Sequence, residues 1–306
     1  MSTGSSKKAV FAALIANLGI AVAKFVGFAF TRSSSMLAEG VHSLADTGNQ
    51  FLLLFGDRRS QQAPSLSHPF GYGRERYFWA FVVSIVLFAL GSMFAIFEGV
   101  EKLLHPHELE SPQWAIGILV VAIVLEGLSF RTAIRESRSA REGLTWMSFI
   151  RRSKAPELPV LILEDSGALV GLVIALTAIG LSMATGSGRW DGVGSTLIGV
   201  LLGVIAVILA TEMKSLLIGE AASEADEDAI VEAIGSGPVV RRLIHLRTQH
   251  LGPEELLVVA KVDFDPALTV AGLARAIDEV EVLIRAAVPS ARLIYIEPDV
   301  ARTHDR

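Results

Sequence analysis

Six apolar stretches, each near the length a helix needs to cross a bilayer, constrain this chain more than anything else in it. They cover residues 10–30, 36–55, 78–97, 112–128, 159–183 and 193–210. A spanning helix takes about 20 predominantly apolar residues, because each residue advances only about 1.5 Å. The fourth stretch is the shortest, and its helix is expected to run on into the polar segment 131–138. With 51% hydrophobic and 19% charged residues among 306, the chain is too apolar for a soluble protein of this size. The opening MSTGSSKK runs into the first stretch with no small-residue cleavage site, so that stretch is expected to be a retained helix.

The charges between the stretches set an orientation. Lys7, Lys8, Arg58, Arg59, Arg74, Arg76, Arg131, Arg135, Arg138, Arg141, Arg151, Arg152 and Lys154 fall on one side, and only Arg32, Lys102 and Arg189 on the other. Basic connections stay in the cytoplasm, which places both termini there, as an even number of spans requires. The basic loop 129–158 contains REGLTWMSFIRR, an amphipathic segment that reads equally as a helix on the inner membrane surface or as a solvated connecting helix.

After Thr211 the patterning becomes that of a soluble domain. A helix is expected over 222–234, strands over 239–249 and 256–264 joined by HLGPEE, and a last strand over 291–296. Thr269 is a suitable N-cap for a helix carrying Leu273, Ile277, Val280, Leu283 and Ile284 at helical spacing, with Pro289 ending it. The fold class expected is therefore a polytopic α-helical membrane protein with six transmembrane helices plus a cytoplasmic α+β (α-β-β-α-β) domain. The division falls between a transport domain, 1–211, and a dimerisation domain, 212–306.

The second stretch is not clean. MLAEGVHSLADTGNQ, residues 36–50, carries Glu39, His42, Asp46 and Asn49. A charged side chain at mid-membrane costs at least about 2.5–3.5 kcal/mol, so by default it marks a function. His42 and Asp46 are four apart and share a helix face. The fifth stretch carries LILEDSGALVGLV, where Glu164 and Asp165 lie about 100° apart around a helix and need not serve the same purpose. Gly167 and Gly171 would let another helix approach closely. Two acidic helices at similar depth imply a shared cation site. The chain has no cysteine, so any metal ligands are nitrogen and oxygen. An imidazole with carboxylates suits Zn²⁺, and Mn²⁺, Fe²⁺ and Co²⁺ stay open. Ligands must be deprotonated, so protons compete with metal, which is a physical basis for exchanging one for the other. Asn49 reads as a group that orients a ligand or binds water, and Glu39 as part of an exit path. A lone buried histidine is often only a hydrogen-bonded core residue, but His42 is accompanied by Asp46 and by acids in another span. An intramembrane enzyme is disfavoured, since HExxH, any double-histidine helix and a nucleophile motif are all missing. A non-transporting, metal-responsive regulator or docking protein is the alternative. Nucleic-acid binding is not expected, because 212–306 has no broad basic stripe.

Several of these motifs resemble one family. Asn17, Lys24 and Gly27 in the first stretch, SSSMLAEGVHSLADTGNQ at 33–50, HPFGYGRERY at 68–77 and FEGVEKLLHP at 97–106 are similar to the cation diffusion facilitators, which export divalent metals. The HSL-D-NQ and LED motifs look nearest to the branch containing zinc transporter nine. The resemblance implies a homodimeric Zn²⁺/H⁺ antiporter working by alternating access, with the metal as cargo and no resident cofactor. It puts His42, Asp46 and Asp165 at metal-ligand positions. Leu161 stands where the family has His or Asp, and Glu164 is the natural replacement. The family's second metal position in the loop reads Ser65, His68 and Tyr72, so no strong site is expected there. Its cytoplasmic dinuclear positions read Ile244, His245, Ala260, Ala274, Tyr295 and Glu297, which implies dimerisation through packing. Arg74 matches the basic member of a charge interlock whose acidic position reads Ile218, with Glu220 close by. His250 and His304 are expected to face solvent, and the short N-terminus favours a bacterial inner membrane.

Overall fold

Long apolar runs without prolines in their interiors form long helices here. The structure, a computed structural model, describes residues 3–109, 111–141 and 143–300, with side chains described from residue 17 on, except at 139 and 140. Its helices begin with α1 (Thr3–Thr31), α2 (Ser34–Ser60) and α3 (Glu75–Val86). Helix α3 runs through a π-helical segment (Leu87–Met93) into α4 (Phe94–Leu104). Then come α5 (Pro112–Arg141), the short α6 (Trp146–Arg152), α7 (Glu157–Thr185) and α8 (Arg189–Ile218). As expected, α5 extends well past the apolar part of its run.

Among the described residues, four helices are long and apolar enough to cross a membrane: Glu75–Leu104, Pro112–Arg138, Glu157–Thr185 and Arg189–Ile218. Asn17–Thr31 is apolar but shorter. Helix α2, at 27 residues, has the length, but its ionisable residues dilute its apolar character. The chain divides into two compact units. One comprises the chain up to Arg58 together with Phe78–Met213, and the other comprises Arg59–Tyr77 together with the chain from Lys214 on.

In the helical unit, Met36, Leu87, Leu119, Leu172, Ile198 and Leu202 form a buried core. Val22, Phe30, Phe88, Val121, Val173 and Val204 point outward and are exposed. Helices that are apolar on both inner and outer faces belong in lipid. Helix α8 meets the α3–α4 helix through small residues. A Cβ on Gly199 would collide with Ile96, including its backbone N, and one on Gly99 would collide with Thr196. Such stripes let helix backbones approach in the absence of a hydrophobic drive between helices. On α7, Gly167 lies against Ile205 of α8 and Gly171 against Glu39 of α2, so both glycines do allow the close approach expected of them.

Helix α6 begins at Thr145, whose side chain accepts from the Ser148 N–H at 3.2 Å. Its Phe149 is buried in a cluster with Ala133 of α5 and Ile162 of α7. This segment is thus held by apolar packing within the helical unit, and Arg141, the last residue of α5, lies 4.5 Å over the ring of its first residue, Trp146.

The second unit holds α9 (Glu224–Gly235), β1 (Val240–Gly252), β2 (Glu255–Phe264), α10 (Val270–Ala287) and β3 (Ala291–Pro298), the α-β-β-α-β order read from the sequence. The sheet order is β1-β2-β3, with β1 antiparallel and β3 parallel to β2. Alternate residues Leu256, Val258, Ala260, Val262 and Phe264 of β2 are buried, as a period of two demands of a sheet with one covered face. Ala276, Val280 and Ile284 of α10 and Ile230 and Ile234 of α9 cover it. Thr269 caps α10 by accepting from the Gly272 N–H at 3.2 Å. The segment Arg59–Tyr77 packs here too: Gly73 abuts the Leu251 carbonyl and Gly252 so closely that no side chain fits. A cavity of about 450 Å³ lies beside it, lined by His68, Phe70, Arg74, Gln249 and Leu257.

Candidate functional site

The start of α2 aims the polar stripe. Asp191, in the first turn of α8 and fully buried, accepts from Ser33 Oγ at 2.7 Å, Ser34 N at 2.7 Å and Ser35 N at 3.2 Å. A carboxylate from another helix therefore satisfies the orphan N–H groups at the α2 N-terminus and meets the positive end of its dipole. Lys102 stands 4.0 Å from Asp191 and donates to the Arg32 carbonyl at 3.2 Å. With this end fixed, Glu39, His42, Ser43 and Asn49 all turn inward and are buried.

His42 Nδ1 and Asp46 Oδ1 are 3.4 Å apart, without a hydrogen bond between them. Neither ring nitrogen of His42 has a hydrogen-bond partner, although the residue is fully buried. Buried polar atoms are nearly always satisfied, so an imidazole with both nitrogens unpartnered is an exception that calls for a functional reading. Glu164 and Asp165 are buried on α7 and diverge as adjacent helical residues must. Asn49 Nδ2 donates to Glu164 Oε1 at 2.7 Å, which joins the α2 and α7 stripes directly. Asp165 Oδ2 instead accepts from Ser129 Oγ of α5 at 3.1 Å. Glu39 takes the Lys24 ammonium at 3.0 Å.

Two functional candidates escaped the sequence reading. Glu126, on α5 one turn before Ser129, is 8% exposed and within electrostatic reach of Asp46 and Asp165. Asp191 is the other. The acids of α2, α5 and α7 thus share one region, with Lys24 of α1 as a cation among them. Among the described residues, no three His, Asp or Glu side chains stand close enough together to hold a metal ion.

The other candidates behave differently. His68 Nδ1 is 3.1 Å from Ser67 Oγ, and its ring packs on Tyr72. His245, Lys261 and Glu297 lie in one row across the sheet with Lys261 in the middle. Lys261 Nζ is paired with Glu297 at 3.1 Å, and hydrogen bonding to that carboxylate raises the lysine above its ordinary pKa. His250 is buried, not solvent-facing: its N–H donates to the Glu220 carbonyl at 2.8 Å, and the Arg59–Tyr77 segment covers this end of the hairpin. His304 lies outside the described residues.

Residues 10–218 match a family model described as the cation efflux transmembrane domain. The chain belongs to the cation efflux family. It is therefore an integral, multi-pass membrane protein of a transporter family. It is 35% identical to the mouse "Proton-coupled zinc antiporter SLC30A9, mitochondrial" over 244 residues, 79% of this chain and 43% of that protein. It thus spans less than half the length of that relative. It is 32% identical to "Metal tolerance protein C4" of Arabidopsis thaliana over 87% of this chain and 58% of that one. It is 28% identical to "Cation-efflux pump FieF" of Serratia proteamaculans over 95% of this chain and 92% of that one. A solved structure of a MamM CTD variant covers 26% of this chain at 24% identity with a TM-score of 0.25, too low to carry an argument.

Proposed function

We propose that this protein exports a divalent cation, Zn²⁺ first, in exchange for protons, by alternating access as a homodimer. One observation carries the reading: His42, fully buried with both ring nitrogens unpartnered, stands beside Asp46 on a helix joined through Asn49 to the acidic turn of α7. The ligand set proposed is His42, Asp46 and Asp165, with Glu164 in place of the usual ligand at Leu161. Glu164 and Asp165 are held by Asn49 and Ser129, so metal entry would exchange two hydrogen bonds for metal–oxygen bonds and draw α2 and α7 together. Protons compete for the same lone pairs, which couples their flow to that of the metal. The nitrogen and oxygen donors and the likeness to a mouse proton-coupled zinc antiporter support Zn²⁺, and such donors also accept Mn²⁺, Fe²⁺ and Co²⁺.

On this reading α1 and α2 complete six spans, residues 1–211 form the transport domain and 212–306 a cytoplasmic dimerisation domain. Arg74 with Glu220 forms the charge interlock. The protein is a secondary transporter, not an enzyme. A bacterial inner membrane is the proposed location. The test is Zn²⁺ uptake into proteoliposomes under a pH gradient. Asp46→Ala and Asp165→Ala abolish uptake while the dimer stays folded. Full transport by both variants refutes the site assignment.

A further inference from the structure

Lys24 and Glu39 form a fully buried ion pair that the proposed ligand set does not use. The Lys24 ammonium reaches Glu39 Oε2 at 3.0 Å and Ser43 Oγ at 2.6 Å, and both charged side chains are fully buried. The other oxygen, Glu39 Oε1, has no hydrogen-bond partner. It lodges against Gly171 of α7, where a Cβ would collide with it. Glu39 precedes His42 by three residues, a rise of about 4.5 Å along α2. Gly171 follows Asp165 by six residues on α7, which runs the opposite way in the proposed orientation. Both displacements lead to the same side of the His42–Asp46–Asp165 site, its outer side. In that orientation the free oxygen of Glu39 stands on the outer side of the proposed site, against α7.

We propose that Glu39 is a second, transient binding position for the divalent cation on the outward path, and that Lys24 is a tethered ammonium that occupies it between transport events. The inference rests on the transport reading above. The chemistry is a competition of cations for one carboxylate. Without a counter-charge, a buried carboxylate is strongly disfavoured, so Glu39 keeps its charge only while a cation is at hand. Lys24 supplies that cation and leaves Oε1 open. An arriving dication takes Oε1, displaces the ammonium toward Ser43 and passes on, after which Lys24 returns. Gly171 leaves room for this exchange, since any side chain there would fill the space of the oxygen. No covalent bond changes.

Lys24→Met alone would strand a buried anion, so the informative variants conserve charge: Lys24→Met with Glu39→Gln, and Lys24→Glu with Glu39→Lys. The measurements are equilibrium Zn²⁺ binding to the purified full chain, Zn²⁺ turnover in proteoliposomes, and melting temperature. Both double variants should stay folded, bind Zn²⁺ within about threefold of the unaltered protein and turn over about tenfold or more slowly, the pattern of an interaction used only in passage. The swapped pair separates the roles, because a merely structural ion pair would be restored by it. Unaltered turnover in either variant overturns the proposal, as does an affinity loss as large as the turnover loss. Absence of Zn²⁺ flux in the unaltered protein overturns the transport reading itself, and this proposal with it.

Discussion

Asp191→Ala tests how the polar stripe is aimed. In the structure this carboxylate takes hydrogen bonds from Ser33 Oγ, Ser34 N and Ser35 N at 2.7–3.2 Å and stands 4.0 Å from the Lys102 ammonium. Hydrogen bonds to a charged acceptor contribute about 1.5–3 kcal/mol each, but three bonds to one group are not additive. Alanine leaves two N–H groups at the α2 N-terminus without an acceptor and Lys102 without its nearest carboxylate. Truncating one partner of a buried, hydrogen-bonded charge costs about 3–5 kcal/mol, so a loss of about 4 kcal/mol is expected. Asp191→Asn keeps one acceptor oxygen but turns an amide toward the donors, and about half that loss is expected. The assay is denaturant unfolding in mixed micelles, followed by tryptophan fluorescence, to which Trp190, the residue next to the site, contributes. A loss below about 1 kcal/mol for alanine, or asparagine costing more than alanine, would refute the claim that this carboxylate fixes the start of α2.

Glu164→Gln keeps an oxygen to accept from Asn49 but removes the charge. Zn²⁺ affinity should fall about tenfold or more by calorimetric titration, and wild-type affinity would show Glu164 to be a bystander. Gly199→Leu drives a side chain into the Ile96 backbone, so the α8–α4 contact opens at a cost of about 1–3 kcal/mol, read as a lower melting temperature. Unchanged melting would mean that the helices are not in close contact there. Thr269→Ala removes the α10 cap and should destabilise the α+β unit by about 1 kcal/mol in denaturant titration, whereas an effect below a few tenths would mean that the cap hydrogen bond contributes nothing.

What the sequence shows plainly is what local rules govern. The helix from Thr269 needs only a cap, an apolar face and Pro289, and its observed bounds follow. The β1–β2 hairpin needs only two β-rich runs and a turn. His42, Asp46 and Glu164–Asp165 were conspicuous because each breaks an apolar helix. Glu126 breaks one as well, but it lies near the end of the shortest run, where a single acid hides within the average. Asp191 stands at the head of a run and looks like an ordinary loop acid, since nothing local says that it will cap another helix 156 residues away. The π-helical turn at Leu87–Met93 has no residue signature of its own. His250 was misplaced for a similar reason. Its burial depends on a segment from 59–77 folding over the hairpin end, a contact no periodicity encodes.

The charges within the helical unit carry the last step. Glu39, Asp46, Glu126, Glu164 and Asp165 are buried or nearly so, and among the described residues the Lys24 ammonium pairs with Glu39. Hydrogen bonds from Asn49 and Ser129 solvate two of these carboxylates, but a hydrogen bond does not cancel a charge. In a low-dielectric interior, repulsion among such groups is much stronger than in water. Were every one of these groups ionised, the region would be short of positive charge by more than one unit, a deficit that protons on the carboxylates or a bound cation can make up. On the transport reading, a divalent cation and a small number of protons are alternative ways of making up that deficit, and each excludes the other at the same oxygens. In the proposed exchange, competition for the same oxygens is what would couple the two flows. Lys24 fits the same logic as a fixed cation that covers part of the deficit while the cargo is absent.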